Sequence, residues 1–185
     1  MKTSACIIVL MLLSQIVMCQ NKGIEIEQLF ITNKMNGKSV RLFSNEETLK
    51  DFGELITVKT LDQNIHSDDY AKEYIFADVV FYISTQGKIS SFETASENIM
   101  IEKKGHFSIS PGNSLFELTE FFPKETNNAK LILYGKSKEE YLCVKFDLSE
   151  FSKNLNKYVA IDYSLNLLYD VKTKVLVKAY IWIKP

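Results

Sequence analysis

The sequence predicts an α+β fold, predominantly antiparallel β with two short helices, and three observations carry that prediction. Stretches of strand length rich in aromatic and β-branched residues recur at 74–83, 88–94, 141–148, 158–168 and 175–183. The links between consecutive strands are short, Thr85-Gln86-Gly87 and Asp170-Val171-Lys172-Thr173, which suits hairpins and leaves no room for crossover helices. Paired helix-start signals stand out at two places, Ser44 with Glu47 and Ser114 with Glu117.

Each element follows from local pattern. The run 74–83 reads as one long strand, and Gly87 supplies the positive φ that turns the chain back into 88–94. In 141–148, Leu142, Val144 and Phe146 share one face, while Tyr141, Cys143 and Lys145 share the other. The two helices are expected over 45–52 and 115–122. Leu49 and Phe52 form the apolar side of the first, which Gly53 ends; Leu115, Leu118 and Phe122 form that of the second, which Pro123 ends. Laid side by side without gaps, the two segments match Leu49 with Leu118, Asp51 with Glu120 and Phe52 with Phe121. The body therefore reads either as a tandem repeat of helix plus strands, with halves of 24–104 and 105–185, or as one body with two ordinary capped helices.

Ahead of this body lies a leader. Lys2 gives a positive start, 5–13 is an almost unbroken apolar run, and Ile16-Val17-Met18 extends it. That run is too short for a membrane span and suits a signal peptide over 1–19. Two processing routes are open. Cleavage can follow Cys19, with Val17 and Cys19 as the small residues, or Ile16-Val17-Met18-Cys19 can act as a lipobox with the lipid on Cys19. Met18 departs from the small residue usual before such a cysteine, and the polar Gln20-Asn21-Lys22-Gly23 serves as a tether in both cases. Its removal leaves a 20–185 body of about 165 residues, enough for one domain.

Composition narrows the function classes. Hydrophobic residues at 46% and aromatics at 12% allow a full core without metals or disulfides. A net charge of −1 offers no basic surface for nucleic acid, so no nucleic-acid partner is expected. Of three cysteines, Cys6 and Cys19 lie in the leader, which leaves Cys143 alone in the body and no disulfide framework. HExxH, GxSxG, Walker and CxxC patterns are all missing. A Cys–His nucleophile would need Cys143 beside His66 or His106, whereas a mid-strand thiol is ordinarily a packing residue. His66-Ser67-Asp68-Asp69 presents one imidazole and two carboxylates that could hold a metal for hydrolysis. Its spacing fixes no geometry, and a solvated loop is the plainer account. No cofactor is implied.

The last strand candidate carries the sharper hypothesis. Val175, Val177, Ala179, Ile181 and Ile183 alternate as a core face. The opposite set includes Lys178, Tyr180 and Trp182, two amphipathic aromatics beside a cation, a combination suited to protein recognition.

Ile109-Ser110-Pro111-Gly112-Asn113-Ser114, followed by Leu118 and then Phe122-Pro123, resembles the opening of small exported αβ modules of the BamE-like and β-lactamase-inhibitor-protein-like kinds, and of uncharacterised Bacteroidetes lipoproteins. The likeness covers about fifteen residues, and the earlier segment departs from it with Leu42-Phe43 in place of Pro111-Gly112. The resemblance implies a helix across a small antiparallel sheet and a protein partner at the cell envelope. The sequence thus points to an exported non-enzymatic binding module, periplasmic, outer-membrane-anchored or secreted, meeting the membrane only through a lipid on Cys19. Its alternatives are a metal-dependent hydrolase using His66, Asp68 and Asp69, and a structural envelope lipoprotein. Intact-mass analysis of the exported protein should show a chain beginning at Cys19 or Gln20, with an added lipid mass if Cys19 is acylated; a chain retaining 1–18 would refute the leader.

Overall fold

The computed structural model describes residues 24–61, 70–136 and 138–183. The leader with Cys19, and the loop bearing His66, Asp68 and Asp69, lie outside the described residues.

Strand propensity dominates, and the fold is α+β with mostly antiparallel pairing. The strands are β1 (Ile24–Glu25), β2 (Leu29–Asn33), β3 (Lys38–Arg41), β4 (Leu55–Thr60), β5 (Lys72–Phe76), β6 (Val80–Ile83), β7 (Ile89–Thr94), β8 (Ile99–Lys103), β9 (Phe107–Ile109), β10 (Lys130–Tyr134), β11 (Glu139–Ser152), β12 (Lys157–Asp170) and β13 (Leu176–Ile183). A nine-stranded sheet runs β1-β11-β12-β13-β7-β6-β5-β4, with β10 also on β11, and a four-stranded sheet runs β3-β2-β8-β9. The two-residue β1 pairs with β11 in parallel, and the other named pairings are antiparallel. The large sheet takes strands from both sides of residue 104, and β9 crosses to the small sheet.

One continuous core draws on both sheets. Ile31, Val40, Ile99 and Ile101 come from the small sheet; Phe81, Phe92, Leu165, Leu167, Ala179 and Ile181 come from the large one. Edge-to-face aromatic pairs tie the layers. Phe122 bridges Phe107 and Phe146 at centroid distances of 5.0 and 4.8 Å, and Phe52 packs on Phe76 and Phe81 at 5.8 and 5.1 Å. Such pairs add about 0.5–1.5 kcal/mol each beyond burial.

The second helix forms as its sequence dictates. In α1 (Leu115–Phe121), the Ser114 hydroxyl accepts from the Glu117 N–H at 3.3 Å, and the Glu117 carboxylate accepts from the Ser114 N–H at 3.1 Å. Pro123 does more than end this helix. It opens a second short one, α2 (Pro123–Asn127), because a first-turn proline gives up no needed donor. The expected helix over 45–52 is a single 3₁₀ turn, Glu46–Leu49, and its capping box does not close. Ser44 instead donates to the Arg41 carbonyl at 2.7 Å, and Glu46 is drawn to Lys72 Nζ and the Tyr74 hydroxyl at 2.9 and 3.1 Å. The two matched segments also differ in burial, since Phe52 is in the core and Phe121 is exposed.

Two strand expectations need correction. The run 74–83 is two strands, β5 and β6, folded back at Ala77-Asp78, where the Phe76 N–H donates to the Val79 carbonyl at 2.9 Å. In β13, strict alternation fails. Lys178 opposes Leu168 while Leu176 opposes Tyr169, so Val177 is an extra residue and Leu176 takes the core position expected of Val177. Leu176→Ala should therefore cost about 2–5 kcal/mol, the range for a buried leucine, and Val177→Ala about 1 kcal/mol or less. Urea unfolding of both variants checks this, and a larger loss at Val177 would restore regular alternation.

Candidate functional site

Beyond its bulge, β13 alternates as the sequence predicts. Ala179 and Ile181 enter the core, so Tyr180 and Trp182 lie on the other face. β13 meets β7 through Ala179 opposite Thr94 and Tyr180 opposite Glu93. Directly opposed residues share a face, so Tyr180 and Glu93 are neighbours.

Glu93 organises what surrounds it. Lys178 Nζ donates to Glu93 Oε1 at 2.6 Å, and the Tyr134 hydroxyl donates to Glu93 Oε2 at 3.2 Å. The same ammonium sits 4.8 Å from the centre of the Tyr134 ring. Tyr134, at the end of β10, lies 5.2 Å from Tyr180 and 6.4 Å from Tyr141. On the β6 side, Tyr70 and Tyr82 are 5.4 Å apart. Together Tyr70, Tyr82, Glu93, Tyr134, Tyr180 and Trp182 line a cleft of about 170 Å³, at whose edge Trp182 is 54% exposed. A buried polar layer lies along these strands. Asn166 Nδ2 donates to the Ser164 carbonyl at 3.1 Å, and Ser91 Oγ donates to the Ile181 carbonyl at 2.9 Å.

The electrostatics follow from partial burial beside one acid. Burial, reinforced by Glu93, pushes the Tyr82 and Tyr134 hydroxyls up to about 12. Burial raises Tyr180 as well, helped by Cys143, Tyr134 and Glu93. All three are neutral hydroxyls in physiological conditions.

Lys178, Tyr180 and Trp182, the residues singled out in the sequence, meet here. Lys178 is braced by its ion pair, Tyr180 is half-buried and Trp182 is open. Sequence reasoning missed Tyr70, Tyr82, Glu93 and Tyr134. They arrive from other strands, and only the pairing register shows that Tyr180 faces Glu93. Cys143 is buried, 3.8 Å from Asn166 Oδ1, and burial pushes its thiol up to about 11, which leaves almost no nucleophilic thiolate at neutral pH. His106 sits exposed in the turn between β8 and β9. Among the described residues, no three His, Cys, Asp or Glu side chains gather to hold a metal ion, and no helix is long and apolar enough to cross a membrane. A wider depression of about 850 Å³ opens where the β11 edge lies beside α2, and its Lys145 and Asp147 pair at 3.9 Å.

No protein-family model and no curated protein matches this chain. Among solved structures, an extracellular protein containing a SCP domain from Bacillus anthracis is similar at 14% identity and a TM-score of 0.43, over 77% of this chain and 44% of that one. The chain thus spans less than half of that protein's length.

The raised tyrosines give a pH signature. An unfolded chain loses its tyrosine protons near pH 10, whereas Tyr82 and Tyr134 in the fold hold theirs to about 12. Their contribution to stability is therefore complete below about pH 10 and is lost as pH rises through 12. Phenolate absorbance should show a late-titrating class that shrinks in Tyr82→Phe and Tyr134→Phe; complete titration of wild type near pH 10 would place these rings in open solvent.

Proposed function

We propose that this protein is an exported, non-enzymatic binding module whose tyrosine-rich sheet face docks a protein partner. The face around Tyr82, Tyr180 and Trp182 carries this reading: large amphipathic rings held by backbone pairing, two of them half-buried and one open. Rigid aromatics bury area on binding with little entropy left to lose, which is why Tyr and Trp dominate binding hot spots. Their partial burial means the scaffold has already ordered them. The apolar leader, with Cys19 as its lipid-bearing or cleaved end, supports export to the envelope or beyond, and the resemblance of 109–123 to small exported modules favours the same setting.

The test is capture of a partner from envelope and secreted fractions. Trp182→Ala should weaken capture by about 2 kcal/mol or more, roughly thirtyfold, with little change in melting temperature because the ring is open to solvent. Phe116→Ala, at a still more open aromatic on α1, should capture as wild type does. Undiminished capture by Trp182→Ala would overturn the assignment of this face.

A further inference from the structure

The cleft is selective by construction. Five aromatic residues line it, Tyr70, Tyr82, Tyr134, Tyr180 and Trp182, and among the described residues its one lining charge is the Glu93 carboxylate. Glu73, directly opposite Tyr82 in the β5–β6 pair, adds a second acid next to that wall. Lys178 offsets Glu93 from the Tyr134 side and does not line the cleft. Both acids act on Tyr82, and Lys59 of β4 stands directly opposite Glu73. Each Glu93 oxygen has one described donor, Lys178 on one and Tyr134 on the other, and a carboxylate oxygen accepts two. The cleft, about 170 Å³, has room for one side chain and is far below the size of a drug-like ligand pocket.

From this we infer that the cleft receives an arginine side chain of the protein partner, its guanidinium stacked on the Tyr82, Tyr180 and Trp182 rings and donating to Glu93. This rests on the docking role proposed above. A planar guanidinium is the cation that stacks on rings and still presents donors in its own plane, which an ammonium cannot do. At the rim a cation already meets the same ring and acid, where the Lys178 ammonium, a point charge without a stacking plane, lies over Tyr134 and donates to Glu93.

The protein's one tryptophan lines the cleft, so intrinsic fluorescence reports occupancy directly. Titrating the purified protein with N-acetylarginine amide should give a saturable change. N-acetylcitrulline amide, of the same shape without the charge, should bind at least about tenfold more weakly. Glu93→Gln should lose about tenfold of the arginine response, as should Tyr82→Leu, which keeps an apolar side chain and removes the ring. Melting temperatures of both variants confirm that they fold. Equal responses to arginine and citrulline probes, no saturable response in a folded protein, or a response to a neutral oligosaccharide instead would each overturn the inference. If the arginine probe is silent while Trp182→Ala still loses partner capture, the arginine falls and the docking face stands. If capture survives Trp182→Ala, the docking face itself falls.

Discussion

Where β13 meets β7, two stretches of chain 85 residues apart are joined by two opposed pairs, Ala179 with Thr94 and Tyr180 with Glu93. Everything in the large sheet depends on that seam. On one side stand β4 to β7, a run of antiparallel neighbours; on the other stand β10 to β13, with β1 added at the edge. Without the seam these are two open sheets with unpaired edges, each a poor solution to burying an apolar face. The seam is short in backbone bonds, so side chains reinforce it. The Ser91 hydroxyl donates to the Ile181 carbonyl, Ala179 and Phe92 are wholly buried, and Lys178 pairs with Glu93. The ion pair is partly exposed and worth about 1 kcal/mol at most, so apolar burial holds the seam more strongly than charge does.

The same seam assembles the candidate site. A sheet covered on one face by a second layer leaves its other face to be managed by its own side chains. Here Tyr82 stands opposite Ser91 and Tyr180 opposite Asn166, both of them buried polar partners. Burial beside Glu93 keeps the Tyr82 and Tyr134 hydroxyls neutral. A tyrosine suits such a face because its body is apolar and its tip is polar. Face protection and the proposed docking surface are thus one arrangement, with Glu93 as its lining acid.

Particular residues show how much local pattern could reveal. Ser114 and Glu117 form the expected reciprocal cap because nothing nearby competes for Glu117 except Asn113, whose side-chain amide donates to its other oxygen. Ser44 and Glu47 carry the same signature and fail. Asn45 bridges to Lys88 and the Phe43 N–H donates to the Ile89 carbonyl, which pins that segment to a strand and leaves room for one tight turn only. The run 74–83 reads as one strand although Asp78, a turn-forming residue, stands within it. Its weight became clear only with the Thr94 hydroxyl donating to the Asp78 carbonyl, a contact from outside the hairpin.

By itself the sequence determined the fold class, the antiparallel hairpins at Gly87 and Asp170, the second helix with its cap, and the placing of Tyr180 and Trp182 away from the core. These follow from propensity, turn chemistry and period-two alternation, which act within a few residues. Only the tertiary structure decided the rest: the extra residue at Val177 that sends Leu176 inward, the collapse of the first helix to one turn, and the gathering of Tyr70, Tyr82, Glu93 and Tyr134 around Tyr180. Register between distant strands is set by which apolar sets can be buried together. That global constraint is written in no single segment, and a shift of one residue would have turned every one of these side chains to the opposite face.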